Sequence, residues 1–163
     1  VQLSISQLED YLSRVAELLE RYGVVLDMEE TAPLVLDESP SGAMSFELRG
    51  FLPDGRVPPL AVVELRERWR RLAADQVERW AYEFELLDHE RGFRRAFHLH
   101  DDEWFVRRFH VVVHDHCENP IGAAPCSHVA GSPVRDAYRG VDLLLEAWID
   151  PSPPDCEAME CLE

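Results

Sequence analysis

Alternation of apolar with charged residues at a period of two, interrupted by short polar turns, constrains this chain more than any other feature. Tyr82, Phe84 and Leu86 alternate with Glu83 and Glu85, the pattern of a strand with one buried and one open face. Asp88 to Gly92 then supplies a turn into Phe93 to His100. Asp101 to Trp104 supplies another into a long strand expected from Phe105 to His116. Three consecutive antiparallel strands follow. Upstream, Ala43 to Leu52 is extended, and Pro53-Asp54-Gly55 turns the chain into a strand around Leu60 to Leu65, with Pro58 and Pro59 marking an edge or irregular entry. Residues Arg66 to Arg79 offer helical charge pairs, Glu64 with Arg68 and Glu67 with Arg71, and read as a short helix or long connection.

Two helices flank this sheet pattern. Ser6 and Glu9 have capping-box spacing, and Leu8, Leu12, Val15, Leu18, Leu19 and Tyr22 recur at three- and four-residue intervals before Gly23. Ser132 and Pro133 signal the start of a second helix holding Val134, Tyr138, Val141, Leu144, Leu145 and Trp148. Val24 to Leu26 and Leu34 to Leu36 are short extended candidates, and Ser39-Pro40-Ser41-Gly42 is a breaker. The expected fold is α+β, an antiparallel sheet of about five strands packed against an N-terminal and a C-terminal helix. The expected organisation is an N-terminal helix with a short extended segment (1–42), the sheet domain with its C-terminal helix (43–150) and an acidic, disordered tail (151–163).

At 163 residues the chain can bury a continuous core without a metal or disulfide being needed for folding. It has no apolar run of the roughly 20 residues that a membrane-spanning helix needs, and its N-terminal segment lacks the basic stretch of a signal peptide, so the expected location is the cytoplasm. Cys117, Cys126, Cys156 and Cys161 lie late in the chain instead of tiling it, and are expected to be reduced. The net charge of -16 argues against broad electrostatic binding to nucleic acid. All 16 basic residues are arginine, and ten of them fall between residues 61 and 116.

That same region carries the histidines. Alternation along the expected strand puts Arg108, His110, His114 and His116 on one face, and Arg94, Ala96, His98 and His100 on one face of its partner. An apolar face of Phe97, Phe109, Val111 and Val113 would then pack on the helices while the imidazoles project from the other side. His114-x-His116 spaces two imidazoles about 6.6 to 6.8 Å apart at Cα, close enough to share one ion. His128 or Cys126 from the following loop would add a ligand, leaving an open position of the catalytic kind for a divalent transition metal such as zinc. Without a metal, His98, His110 and His114 supply acid and base groups for phosphodiester cleavage, and Arg94, Arg95 and Arg108 supply phosphate binders. A third alternative makes these residues ordinary solvated or partner-facing sheet positions.

From Ser45 to Trp148 the order of features resembles the TumE-like toxins of toxin-antitoxin pairs. The matching residues are Asp54-Gly55, Tyr82-x-Phe84, Arg95 to His100, His114-Asp115-His116, Ser127-His128 and Gly131 before a terminal helix. The resemblance implies a compact toxin held inactive by an antitoxin protein, with RNA or the translation machinery as target. Two readings stand beside a toxin acting on RNA. One is a noncatalytic module whose acidic surface mimics nucleic acid or docks on a basic protein, with a homo-oligomer as the other expected partnership. The other is a metal-dependent hydrolase using His114, His116 and His128.

Overall fold

The computed structural model describes residues 1–27, 37–38, 42–52, 61–100, 102–122, 126–150, 156 and 159–162. The expected strand at Leu34 to Leu36, the Pro53-Asp54-Gly55 turn, Pro58 and Pro59, and most of the Ser39 to Gly42 breaker lie outside these residues. The described elements are β1 (Gln2–Ser4), α1 (Ile5–Arg21), β2 (Val25–Leu26), β3 (Asp37–Glu38), β4 (Ala43–Leu52), β5 (Ala61–Ala73), β6 (Gln76–Asp88), β7 (Phe93–Leu99), α2 (Glu103–Phe109), β8 (Val113–Glu118), β9 (Val129–Ala130) and α3 (Ala137–Ile149).

The fold is α+β, as expected, but among the described residues the sheet has nine strands instead of about five. Its main path runs β2-β4-β5-β6-β7-β8-β9, with β1 joined to β6 and β3 to β4. Every pairing is antiparallel. The N-terminal elements therefore enter the same sheet and core as the rest.

Residues expected as a short helix or connection, Arg66 to Arg79, instead complete β5 and begin β6. Burial explains why: Leu65, Glu67 and Trp69 turn inward while Arg66, Arg68 and Arg70 turn outward, a period of two that outweighs the helical charge spacing. The helix α1 starts earlier than its expected cap, since Ser4 Oγ accepts from the Gln7 backbone at 3.2 Å and Gln7 Oε1 accepts from the Ser4 backbone at 2.8 Å. Leu8, Leu12, Val15 and Leu19 bury its apolar stripe. Gly23, at φ +84°, then turns the chain into β2. Asp136, rather than Ser132, caps α3 by accepting from the Arg139 backbone at 3.0 Å.

The helices α1 and α3 cover one face of the sheet. Leu48, Leu65, Phe84 and Leu86 meet Leu12, Val15, Val141, Leu144 and Leu145 in the continuous core. Contact is close enough at Gly140 that a Cβ there would fall 2.5 Å from Phe84 Cδ2, so this turn of α3 lies directly on the ring.

The cysteines expected to be reduced form two disulfides, Cys117–Cys156 and Cys126–Cys161. They cluster late in the chain because both fasten one C-terminal segment to β8 and the loop after it. Backbone bonds reinforce the attachment, from Ala130 N–H to the Glu160 carbonyl (2.8 Å) and from Leu162 N–H to the His128 carbonyl (3.1 Å). The described part of the expected tail is thus pinned against β9. Among the described residues, no helix is long and apolar enough to cross a membrane.

Candidate metal centre

The site lies on the sheet face opposite α1 and α3. In the β7·β8 register His98 faces His114 directly, and Ala96 faces His116. The β8·β9 register pairs His114 with Ala130 and Asp115 with Val129, so its continuation sets His128 beside His116. Alternation within β8 sends His114 and His116 to the same face and Asp115 and Cys117 to the other. Three neighbouring segments therefore converge four imidazoles.

Ring centroids are 4.9 Å apart for His98 and His114, 4.7 Å for His98 and His116, 5.0 Å for His114 and His116, and 4.8 Å for His116 and His128. The tightest polar contact joins His114 Nε2 and His116 Nε2 at 3.2 Å. One ligand atom from each of His98, His114 and His116 lies within 4.8 Å of the other two.

A short helix roofs this array, and it replaces the first part of the strand expected from Phe105 to His116, of which Val113 to His116 form β8. Asp102 caps α2 by accepting from the Phe105 backbone at 2.8 Å, and His110 ends it in the left-handed conformation at φ +58°. The Phe105 ring stacks on His114 with centroids 4.0 Å apart, and also touches His100 and His128. His114, under the Phe105 ring, is only 1% exposed, and His116, packed among His98, His114 and His128, only 4%.

That burial sets the electrostatics. Desolvation, followed by repulsion from neighbouring imidazoles and Arg94, pushes His98 and His114 down to about 3. Desolvation and then Arg94 push His116 to about 2. His128 is lowered by the same causes in the same order, burial and then Arg94. These rings are neutral at pH 7, with lone pairs free to bind an ion. The array is also left unsatisfied: His98 Nε2, His114 Nδ1 and His116 Nδ1 are buried without a hydrogen-bond partner among the described residues.

The remaining expected site residues divide. Arg94 borders the imidazoles but is tied to Glu85 at 2.7 Å and Glu118 at 3.2 Å. Arg95 is not in the site, because the parity of β7 places it on the helix side, paired with Asp115 at 3.0 Å. Arg108 is exposed on α2 with its guanidinium over the Phe109 ring. His110 is the exposed cap of α2 and stands apart from the cluster, since a helix and not a strand carries that stretch. Cys126 cannot be a thiolate ligand while bonded to Cys161. His98 takes the third position of the ligand set, whereas His128 lies next to it with Nδ1 3.1 Å from Ser127 Oγ.

The array opens on a pocket of about 350 Å³ lined by Arg68, Glu83, His98, His100 and Asp102. Sequence reasoning placed His100 on the histidine face without giving it a task, and missed the roofing role of Phe105. The four-residue spacing of Phe105 and Phe109 is the signal that would have found the roof. Comparison with protein-family models, curated proteins and solved structures finds no match. The resemblance to TumE-like toxins rests on its motifs alone.

Proposed function

We propose that the protein is a metal-dependent hydrolase whose divalent ion, of the zinc class, is held by His98, His114 and His116 with a position left open toward the pocket. The observation that carries this reading is the convergence of three neutral imidazoles whose ligand atoms lie within 4.8 Å of one another. Tetrahedral zinc with Zn–N bonds of about 2.0–2.1 Å holds two ligand nitrogens roughly 3.3–3.4 Å apart. The 3.2 Å between His114 Nε2 and His116 Nε2 is close to that edge. Imidazole ligands suit Zn, Cu, Fe and Ni better than Mg or Ca.

His98 Nε2, without a partner among the described residues, gives a second support. A buried polar atom without a partner costs about 1–3 kcal/mol, and an ion on His98 Nε2 relieves that cost. At His114 and His116 the Nδ1 atoms have no acceptor among the described residues, so ring packing, of Phe105 on His114 and of His98 and His128 on His116, stands in for the outer-shell hydrogen bonds that usually orient metal-bound histidines.

When bound, such an ion acidifies a coordinated water to a pKa near 7 and polarises a carbonyl or phosphoryl oxygen. The protein's own residues keep the ligands neutral, exclude water on the Phe105 side and admit substrate past His98 and His100. The RNA-directed toxin reading draws less support, because Arg94 and Arg95 already hold carboxylates and Arg108 lies over the Phe109 ring and does not line the pocket. Two disulfides also favour an oxidising compartment over the cytoplasm.

Chelated protein titrated with zinc should bind one equivalent. His98→Ala, His114→Ala and His116→Ala should each weaken binding by more than about 100-fold, beyond the usual effect of an outer-shell change. Hydrolysis of p-nitrophenyl acetate should require the ion and disappear with it. Undiminished zinc affinity in the His114 and His116 variants would remove the site.

A further inference from the structure

We infer that His100 is a hydrogen-bond donor to an oxygen ligand at the open coordination position, and not a fourth metal ligand. This rests on the metal reading above. The backbone N–H of Asp102 points at His100 Nδ1 over 3.2 Å. A backbone amide only donates, so Nδ1 presents its lone pair and the neutral ring carries its hydrogen on Nε2. A nitrogen that carries hydrogen cannot ligate. For His100 to bind the ion through Nε2, the hydrogen would have to move to Nδ1, breaking the Asp102 contact at the start of α2.

Position agrees with chemistry. The His100 ring lies 5.1 Å from His114, 6.1 Å from His98 and 5.2 Å from Phe105 by centroid, and it falls outside the group of converging ligand atoms. It lines the same pocket as His98. The acidic groups of that pocket are engaged elsewhere, Glu83 with Arg68 at 3.0 Å and Asp102 as the cap of α2. Arg68 is held by Glu83, and His100 is the pocket's N–H donor whose ring neighbours His98 and His114. The ligand class it selects is an oxygen acceptor such as a carboxylate, a carbonate or a substrate carbonyl.

The test uses the cobalt(II)-substituted protein, titrated with acetate and separately with imidazole while its visible spectrum is followed. Acetate bound to the ion can accept from His100; imidazole bound to the ion has only an N–H left to offer. His100→Phe should retain cobalt, bind acetate roughly 10-fold or more weakly and bind imidazole as the wild type does. His100→Gln, which keeps an N–H near the Nε2 position, should recover most of the acetate affinity. Unchanged acetate affinity in His100→Phe overturns the inference, and loss of cobalt from that variant overturns it in favour of a ligand role. A wild type that binds no cobalt would sink the metal reading itself. Nitrogen NMR of the metal-free protein gives an independent check, since a neutral His100 with hydrogen on Nδ1 contradicts the inference whatever the metal does.

Discussion

Two buried polar clusters occupy opposite faces of the sheet, and they settle their hydrogen bonds in opposite ways. On the helix side Glu67 is fully buried, yet accepts from Tyr11 Oη at 2.9 Å, Trp69 Nε1 at 3.1 Å and Arg79 at 2.7 Å. Arg79 in turn donates to the Val134 and Arg135 carbonyls, and Tyr11 Oη accepts from the Ala137 backbone. This network ties α1, β5 and β6 to the entry of α3. On the other side His114 and His116 are nearly as hidden, and with the half-buried His98 they leave three buried ring nitrogens without partners among the described residues. Similar burial with a complete set of bonds marks an architectural joint; burial with an incomplete set marks a place kept for something else.

The largest test of that contrast removes the hub of the satisfied cluster. Glu67→Ala strands the nearly buried Arg79 guanidinium, and truncating one partner of a buried pair costs about 3–5 kcal/mol. Chemical denaturation should show a loss of that size with zinc affinity retained in the surviving folded fraction. A loss below about 1 kcal/mol would make the network as dispensable as a surface pair.

Acid should next separate the two clusters. The folded-state values of His98 and His114, about 3, and of His116, about 2, lie below the ordinary 6.5. In the metal-free protein the unfolded chain takes up protons below 6.5 while the folded rings do not. The stability held by neutral imidazoles is therefore complete above 6.5 and drains away as pH falls toward 3. Each histidine contributes a slope of up to about 1.4 kcal/mol per pH unit. Denaturation midpoints measured between pH 7 and 5 should fall with acid, and should fall less in His98→Leu. A flat profile would mean that the rings take up protons as readily in the fold as in the unfolded chain.

How much of this could be read from the chain follows from which forces are local. The strands from Tyr82 to Leu86 and from Phe93 to Leu99 are legible because one face is core and the other is not, and the parity that reveals them also puts His98, His114 and His116 together. Parity equally separates Arg94 from Arg95, which a role assigned by residue type alone overlooks. The helix α2 is hard to read from propensity: Trp104 to Val113 is rich in aromatic and β-branched residues, and the Asp102 cap, the Glu103–Arg107 pair and the seating of Phe105 on His114 favour the helix against that preference. Cysteine pairing depends on where the C-terminal segment returns, which spacing does not encode. That return removed Cys126 from the ligand set, and the cross-strand register of β7 supplied His98 in its place.

The smallest expected effect is the most discriminating, because its sign is unusual. Replacing both members of a hydrogen-bonded buried pair with apolar residues of similar volume is nearly neutral or stabilising, whereas replacing one strands the other. His114→Leu with His116→Leu removes the 3.2 Å contact together with both unpartnered Nδ1 atoms, at the cost of the ring stacking between His114 and Phe105. The metal-free double variant should match or exceed the wild type by about 1 kcal/mol, while either single variant falls below it, a non-additivity expected of residues in contact. Zinc should raise the wild-type unfolding temperature and leave the double variant unmoved. A double variant that loses several kcal/mol would class the imidazoles with Glu67 and Arg79, as a joint of the fold, and the contrast between the two faces would be gone.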